Sequence, residues 1–213
     1  LLSQCDTDTD GFALFNLTEA ESLLSLNWQN ETFTYFDSGN NPISFPTSYT
    51  NQTVNNESIF VTVTTSNGCI LQGQINLEVD TSEIPDTFLL EYFECDTDND
   101  GEAIFNFSDA TAQILALFPV GQMLTVSYYE TQQEAETEIS SLNSIIDSYT
   151  NNLNLTDNSG NQNIWVRVDG DTANDCRGLG MHIQLTVTPN PTFLPTISSI
   201  ETCSAVANAA TFD

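Results

Sequence analysis

The chain has no lysine, two arginines (Arg167 and Arg177) and one histidine, His182, against 30 acidic residues. A formal charge of −28 repels phosphate backbones and anionic lipid, which argues against nucleic acid or a membrane surface as a partner. Long apolar runs are also missing. Stretches such as Ile114 to Val120 fall far short of a bilayer-spanning length, so no membrane insertion is expected in this segment, and no charged-then-apolar leader opens the chain. The opening "LLSQC" reads as the interior of a longer protein. No C-x-x-C pair occurs, which disfavours a thiolate metal site or a redox dithiol. With neither a second histidine nor a lysine nor a Gly-rich phosphate loop, nothing assembles a nucleophile, base and orienting group, and the chain is expected not to be an enzyme. His182 alternates onto the polar face of its strand and is expected to be a solvated surface residue.

What the sequence does contain is a repeat. "CDTDTDG" runs from Cys5 to Gly11 and "CDTDNDG" from Cys95 to Gly101, and the correspondence continues downstream. "GFALFNLTEAESLLSL" lies over "GEAIFNFSDATAQILAL", "TFTYFD" over "TVSYYE", "SYTN" (48–51) over "SYTN" (148–151), and "IFVTV" over "IWVRV". The second copy holds insertions in its middle. Proline-bearing joints at 81–88 and 186–196 bound the copies, giving expected units at 1–80 and 87–188. A third unit is expected to begin at 197–213, where Cys203 takes the place of Cys5 and Cys95 but "CSAVANAATFD" has lost the aspartates.

Within each unit the periodicity is mostly two. Ile75, Leu77 and Val79 alternate with polar residues, as do Met181, Ile183, Leu185 and Val187; Ile59, Val61 and Val63, matched by Ile164, Val166 and Val168, add an inward row. One segment per unit has helical spacing: Ala20, Leu24 and Trp28 behind a Thr18–Glu21 capping box, and Ala110, Ile114 and Phe118 behind Ser108. A further helix is expected within 131–142 of the second copy alone. The pattern predicts a mainly β fold of tandem immunoglobulin-like β-sandwich repeats, each with one short helix.

Each complete unit has two cysteines, one before the acidic loop and one before the last strand. The expected bonds are therefore Cys5 with Cys69 and Cys95 with Cys176, each stabilising its own unit by about 4 kcal/mol on the chain-entropy model; buried free thiols are the alternative. Asp6, Asp8 and Asp10, and likewise Asp96, Asp98 and Asp100, alternate so that three carboxylates can converge before a turn-permitting glycine. This D-x-D-x-[DN]-G opening suits Ca2+, one ion per complete repeat, with the Phe12 or Glu102 carbonyl as a further ligand. Where an EF-hand places its bidentate glutamate this chain has Leu17 and Phe107, leaving Glu19 and Asp109 as the nearest acids to complete the shell. A plain turn built on Asx hydrogen bonds is the competing reading. Trp165 and its counterpart Phe60 point opposite to the inward row, and Trp165 could stack on a sugar ring or be covered by its own unit.

"CDTDTDGFALFNLTEAES", followed by "FTYFDSGNNPI", "SYTN", "IFVTV" and a late cysteine, resembles the immunoglobulin-like repeats of very large Bacteroidota surface proteins exported by the type IX secretion system, gliding-motility and adhesin proteins among them. The resemblance implies an extracellular, cell-surface stalk or filament for adhesion or gliding. Its partners would be neighbouring repeats of the same chain and a surface polysaccharide or another cell-surface protein. The alternative is a carbohydrate-binding module array on a secreted polysaccharide-degrading enzyme.

Overall fold

The computed structural model describes residues 1–171 and 175–190; the expected third unit at 197–213, with Cys203, lies outside them. Inward rows of β-branched residues and leucine, broken by Asp-, Asn- and Gly-bearing turns, set the strands. In the first repeat these are β1 (Leu2–Asp6), β2 (Leu14–Phe15), β3 (Glu31–Phe36), β4 (Tyr49–Thr50), β5 (Asn56–Thr65) and β6 (Ile70–Thr81), with a short helix α1 (Glu21–Leu24). The second repeat comprises β7 (Leu90–Asp96), β8 (Ile104–Phe105), α2 (Ala110–Leu115), β9 (Thr125–Tyr129), α3 (Gln132–Thr137), β10 (Tyr149–Thr150), β11 (Asn161–Asp169) and β12 (Cys176–Pro189).

The two repeats share one topology. A four-stranded sheet runs β1-β6-β5-β3 in the first and β7-β12-β11-β9 in the second, and a two-stranded ladder, β2-β4 or β8-β10, lies apart from it. The edge strands β1 and β7 run parallel to β6 and β12, while the inner pairings are antiparallel. Phe15, Leu17 and Tyr49 join Ile59, Val61, Ile75 and Leu77 in the first core; Phe105, Phe107 and Tyr149 join Ile164, Val166, Ile183 and Leu185 in the second. Each repeat is thus a small β-sandwich, its main sheet covered by the ladder and the helical segment.

Local chemistry redirects several expected details. Asn16, and not Thr18, caps the first helical segment: its side chain accepts from the Thr18 amide, and the turn Leu17–Ala20 winds as 3-10 helix before α1. Trp28 falls in a separate 3-10 turn and stays partly exposed, so the apolar stripe stops at Leu24. In the second repeat Ala110, Ile114 and Phe118 are buried as their spacing predicts. The inserted helix α3 forms behind a reciprocal capping box between Thr131 and Glu134.

The alternation in β12 breaks at a bulge. Ile164 pairs with Ile183 but Trp165 pairs with Met181, so His182 is an extra residue on its strand. The bulge exchanges faces: Met181 turns outward at 51% exposed, and His182 turns inward at 3%, which corrects its expected place on the surface. Its Nδ1 meets the Phe88 carbonyl at 2.9 Å, and burial lowers its pKa.

Ile183→Ala removes fully buried side-chain volume and is expected to destabilise by about 2–5 kcal/mol, while Met181→Ala should change stability by less than about 0.5 kcal/mol. Chemical denaturation of the two variants checks this. Equal losses would place Met181 in the core and remove the bulge.

Candidate functional site

Two constellations carry chemistry in this chain: the acidic loops and the junction between the repeats. Each loop is wound around its first aspartate. Asp6 Oδ1 accepts from the amides of Asp8 (3.0 Å) and Thr9 (2.6 Å), and Oδ2 accepts from the Gly11 amide at 2.8 Å. Asp96 repeats the arrangement with the amides of Asn99, Asp100 and Gly101. Thr9 and Gly11 take positive φ, as do Asn99 and Gly101. At Gly11 an added Cβ would sit 2.6 Å from both Asn55 Oδ1 and Val54 Cγ1, so only glycine fits. Burial pushes Asp6 up, but the three amides together outweigh it and hold its carboxyl below the usual range.

The repeated tetrapeptide "SYTN" has its structural role here. Asn51, the last residue of the first "SYTN", accepts from the Ala13 amide at 2.8 Å and donates to the Gly11 carbonyl at 3.0 Å. Asn151 does the same with Ala103 and Gly101, at 2.7 and 3.1 Å. These asparagines pin the exit of each acidic loop, a role the sequence signalled only by repeating them.

The structure brings Asp6, Asp8 and Asp10 together, each with a carboxylate oxygen within 4.8 Å of the others, and does the same for Asp96, Asp98 and Asp100. Only the first aspartate of each trio is buried. The Asp10 amide pulls Asp8 down, but desolvation and the Asp10 and Asp6 carboxylates outweigh it, and Asp8 ends above its ordinary value. Phe12 and Glu102 follow each loop, their amides bonded to Asp10 and Asp100. The two more distant acids are engaged elsewhere: Asp109 accepts from Tyr92 Oη at 2.9 Å and from Gln113 at 2.8 Å, and Glu19 turns into the repeat junction. Neither completes a shell around its loop.

That junction overturns the expected cysteine pairing. Cys5 of the first repeat is bonded to Cys176 of the second, with Cα atoms 5.5 Å apart, and Cys69 and Cys95 are free and exposed. The reason is strand direction. Cys5 lies opposite Asp80 near the end of β6, whereas Cys69 precedes that strand's first residue, roughly 36 Å away at about 3.3 Å per residue. Cys95 lies opposite Thr188, near the end of β12, while Cys176 starts it, about 40 Å away. No bond within a repeat can bridge those lengths.

Around the disulfide lies a polar seam. Arg167, fully buried on β11, bonds Asp169 at 2.8 Å and Glu138 at 2.9 Å on its own repeat, and reaches across to Gln4 Oε1 of β1. Gln4 donates in turn to the Glu136 carbonyl, Asn16 to the Thr137 carbonyl (3.2 Å), and Gln132 to Thr7 (3.1 Å), so the inserted helix α3 serves as the docking element. Arg177 pairs with Glu83, and the Leu179 amide donates to Ser82. Both cations of the chain therefore lie at the seam. Trp165 packs half-buried against the cluster of Cys5, Tyr129, Ala135, Cys176 and Leu179. Burial, then the charge of Glu138, push the Glu19 carboxyl up to about 8, with Arg167 opposing. Burial also raises Glu138 and Asp169 against the pull of Arg167.

A pair of tandem β-sandwiches closed by a disulfide between repeats defines a class of modular, multi-domain architecture. The chain belongs to the Flavobacterium inter-domain disulphide bond domain family, whose model matches residues 1–85 and again 91–191. No curated protein matches it. Among solved structures the chain is similar to the immunoglobulin domains 1–4 of Sidekick-1, at 11% identity and a TM-score of 0.26 over 77% of this chain and 41% of that one. The chain thus spans about two fifths of that structure's length.

On the chain-entropy model, a bond spanning 171 residues stabilises the folded pair by about 5 kcal/mol. Cys5→Ser with Cys176→Ser is expected to lose a comparable amount in denaturant and to separate the unfolding of the two repeats into distinct transitions; retention of a single wild-type transition would contradict the seam. A second expectation concerns pH. A carboxyl whose folded pKa lies near 8 against about 4.5 unfolded gives stability that is complete below pH 4.5 and fades as pH rises toward 8. Stability should therefore fall by roughly 1–3 kcal/mol between pH 5.5 and 8, and Glu19→Gln should flatten the fall. Denaturation at the two pH values, with and without the substitution, reads both.

Proposed function

We propose that this chain is a structural segment of an extracellular bacterial surface stalk, in which disulfide-locked repeats hold adjacent sandwiches at a fixed angle and Ca2+ stiffens their acidic loops. The observation that carries the reading is the Cys5–Cys176 bond. A disulfide within one sandwich would stabilise that sandwich alone, whereas one between sandwiches also removes the hinge between them. Buried Arg167 and the α3 contacts act on the same hinge, so flexing there would break the Arg167–Gln4 and Asn16–Thr137 bonds. Persistence of a disulfide fits an oxidising, extracellular setting. In that setting the array would support adhesion to a surface polysaccharide or a neighbouring cell-surface protein, or the traction of gliding, with export by the type IX route.

For calcium, the supporting chemistry is the donor set. Three carboxylates stand close enough to repel one another, and a hard cation binding oxygen would relieve that repulsion. The amides already bonded to Asp6 leave the outer oxygens of Asp8 and Asp10 as the natural ligands, with water completing the shell. Trp165 is occupied by the disulfide cluster, which weighs against a glycan platform at that residue.

Calorimetric titration of the chain with Ca2+ is expected to show about one ion per repeat at micromolar to millimolar affinity, lost when Asp8→Ala and Asp98→Ala are combined. Absence of heat at millimolar Ca2+ would leave the loops as Asx-stabilised turns.

A further inference from the structure

The outer face of the first main sheet is open, whereas the same face of the second sheet forms the seam. Cross-strand register aligns the two. Phe36, Phe60 and Gln74 stand opposite one another on β3, β5 and β6, next to a row of Thr34, Thr62 and Gln72. The matching rows of the second sheet are Tyr129, Trp165 and Met181, then Ser127, Arg167 and Leu179. Tyr129, Arg167 and Leu179 are each no more than 3% exposed, closed over by β1 and α3. On the first sheet Phe60 is 45% exposed, and Gln72 and Gln74 are exposed as well.

What covers the second face is missing from the first. After Glu130 the second copy inserts α3, where the first copy has only the turn Asp37–Asn41, and Thr62 and Gln72 stand in the places of buried Arg167 and Leu179. A further repeat docked there would find neither the helix nor the charge that hold the existing seam.

The open face is instead neutral and rich in amides and hydroxyls. The chain carries 30 acids, yet the rows from Ser58 and Asn76 to Thr32, Thr64 and Ile70 hold no charged side chain, and the first acid on this face is Glu78, opposite Asn56. Asp37, next after β3, is buried and takes its bonds from Asn41. Phe36, Phe60, Asn40, Thr62 and Gln72 line a cleft of about 340 Å3, within the roughly 300–1,000 Å3 of small-ligand clefts. Beside it Gln74 Nε2 donates to Ser58 Oγ at 3.0 Å and to Asn76 Oδ1 at 2.6 Å. Those bonds hold the row in place and leave the Gln74 carbonyl and the Asn76 amino group for a ligand.

We propose that this cleft binds a neutral polysaccharide, with sugar rings seated on Phe60 and Phe36 and their hydroxyls bonded to Asn40, Thr62, Gln72 and Gln74. The apolar face of a sugar ring packs on an aromatic side chain, and its hydroxyls, each a donor and an acceptor, match amides and threonine hydroxyls. An anionic glycan would meet a chain of charge −28 with no cation on this face, and a basic peptide would find no carboxylate in these rows to pair with. The inference rests on the adhesive reading above, of which it names the ligand class and the place, and it is independent of calcium.

The test is native electrophoresis of the disulfide-bonded chain through gels containing dextran, starch, arabinoxylan or galactomannan, with alginate and polygalacturonate as anionic comparisons. At least one neutral glycan is expected to retard the chain, and neither anionic one. Phe60→Ala should weaken the retarding interaction at least about tenfold and Gln72→Ala about threefold, while Met181→Ala, in the equivalent row of the second sheet, leaves it unchanged. Phe60 and Gln72 are exposed, so both variants are expected to keep the parent's denaturation midpoint and the Cys5–Cys176 peptide. No retardation in any neutral gel overturns the proposal, as does equal retardation by alginate. Retardation that survives both Phe60→Ala and Gln72→Ala removes this site while leaving the adhesive reading in place. Self-association of the chain that Phe60→Ala abolishes in sedimentation would give the face to a second copy and would also overturn the proposal. The stalk reading is checked separately, by the unfolding of Cys5→Ser with Cys176→Ser.

Discussion

Arg167 is the constraint on which the two-repeat assembly depends. A guanidinium with no solvent exposure must find its partners inside the protein, and here they come from both repeats: Asp169, Glu138 and the Ala135 carbonyl on one side, Gln4 on the other. Opening the joint would break the bond to Gln4 and let water onto a guanidinium that now has its full set of protein partners. Desolvation pulls the arginine pKa down, but Asp169 and Glu138 raise it further, so the cation is kept. The disulfide beside it acts on chain entropy and the arginine on orientation. Together they turn a linker into a joint.

The rest of the electrostatics follows from having so few cations. With both arginines engaged at the seam, the acids withdrawn from water are held by backbone amides, by neutral donors or in protonated form. Asp6 and Asp96 take the first route inside their loops. Glu57 and Glu130 take the second, accepting from the tyrosines of the two "SYTN" segments, Tyr49 and Tyr149. Glu19 takes the third, its pKa raised to about 8 by burial and by Glu138.

Much of the fold could be read from the chain. The inward rows Ile59, Val61 and Val63, and Ile164, Val166 and Val168, are buried because strict alternation on a two-faced sheet admits only one solution. The α3 helix falls within the segment 131–142 where a helix was expected. The reading failed where a single residue changed the register: the bulge at His182 inverts the faces of Met181 and His182, and nothing in an alternating string marks the extra residue. It failed again at the first helix, where Asn16 outcompeted Thr18 for the cap.

By itself the sequence determined the repeat, the strand faces and the two acidic loops, because these depend on neighbours within a few residues or on duplication visible in the string. The cysteine partners were decided only by tertiary structure. Two cysteines in one unit look like a pair, but β1 runs parallel to β6 and β7 to β12, which sends them to opposite ends of their sandwich. The stacking of repeats then brings Cys5 to Cys176. Arg167 owes its meaning to the same cause: an ordinary strand residue in the sequence, it is buried because a second domain closes over it.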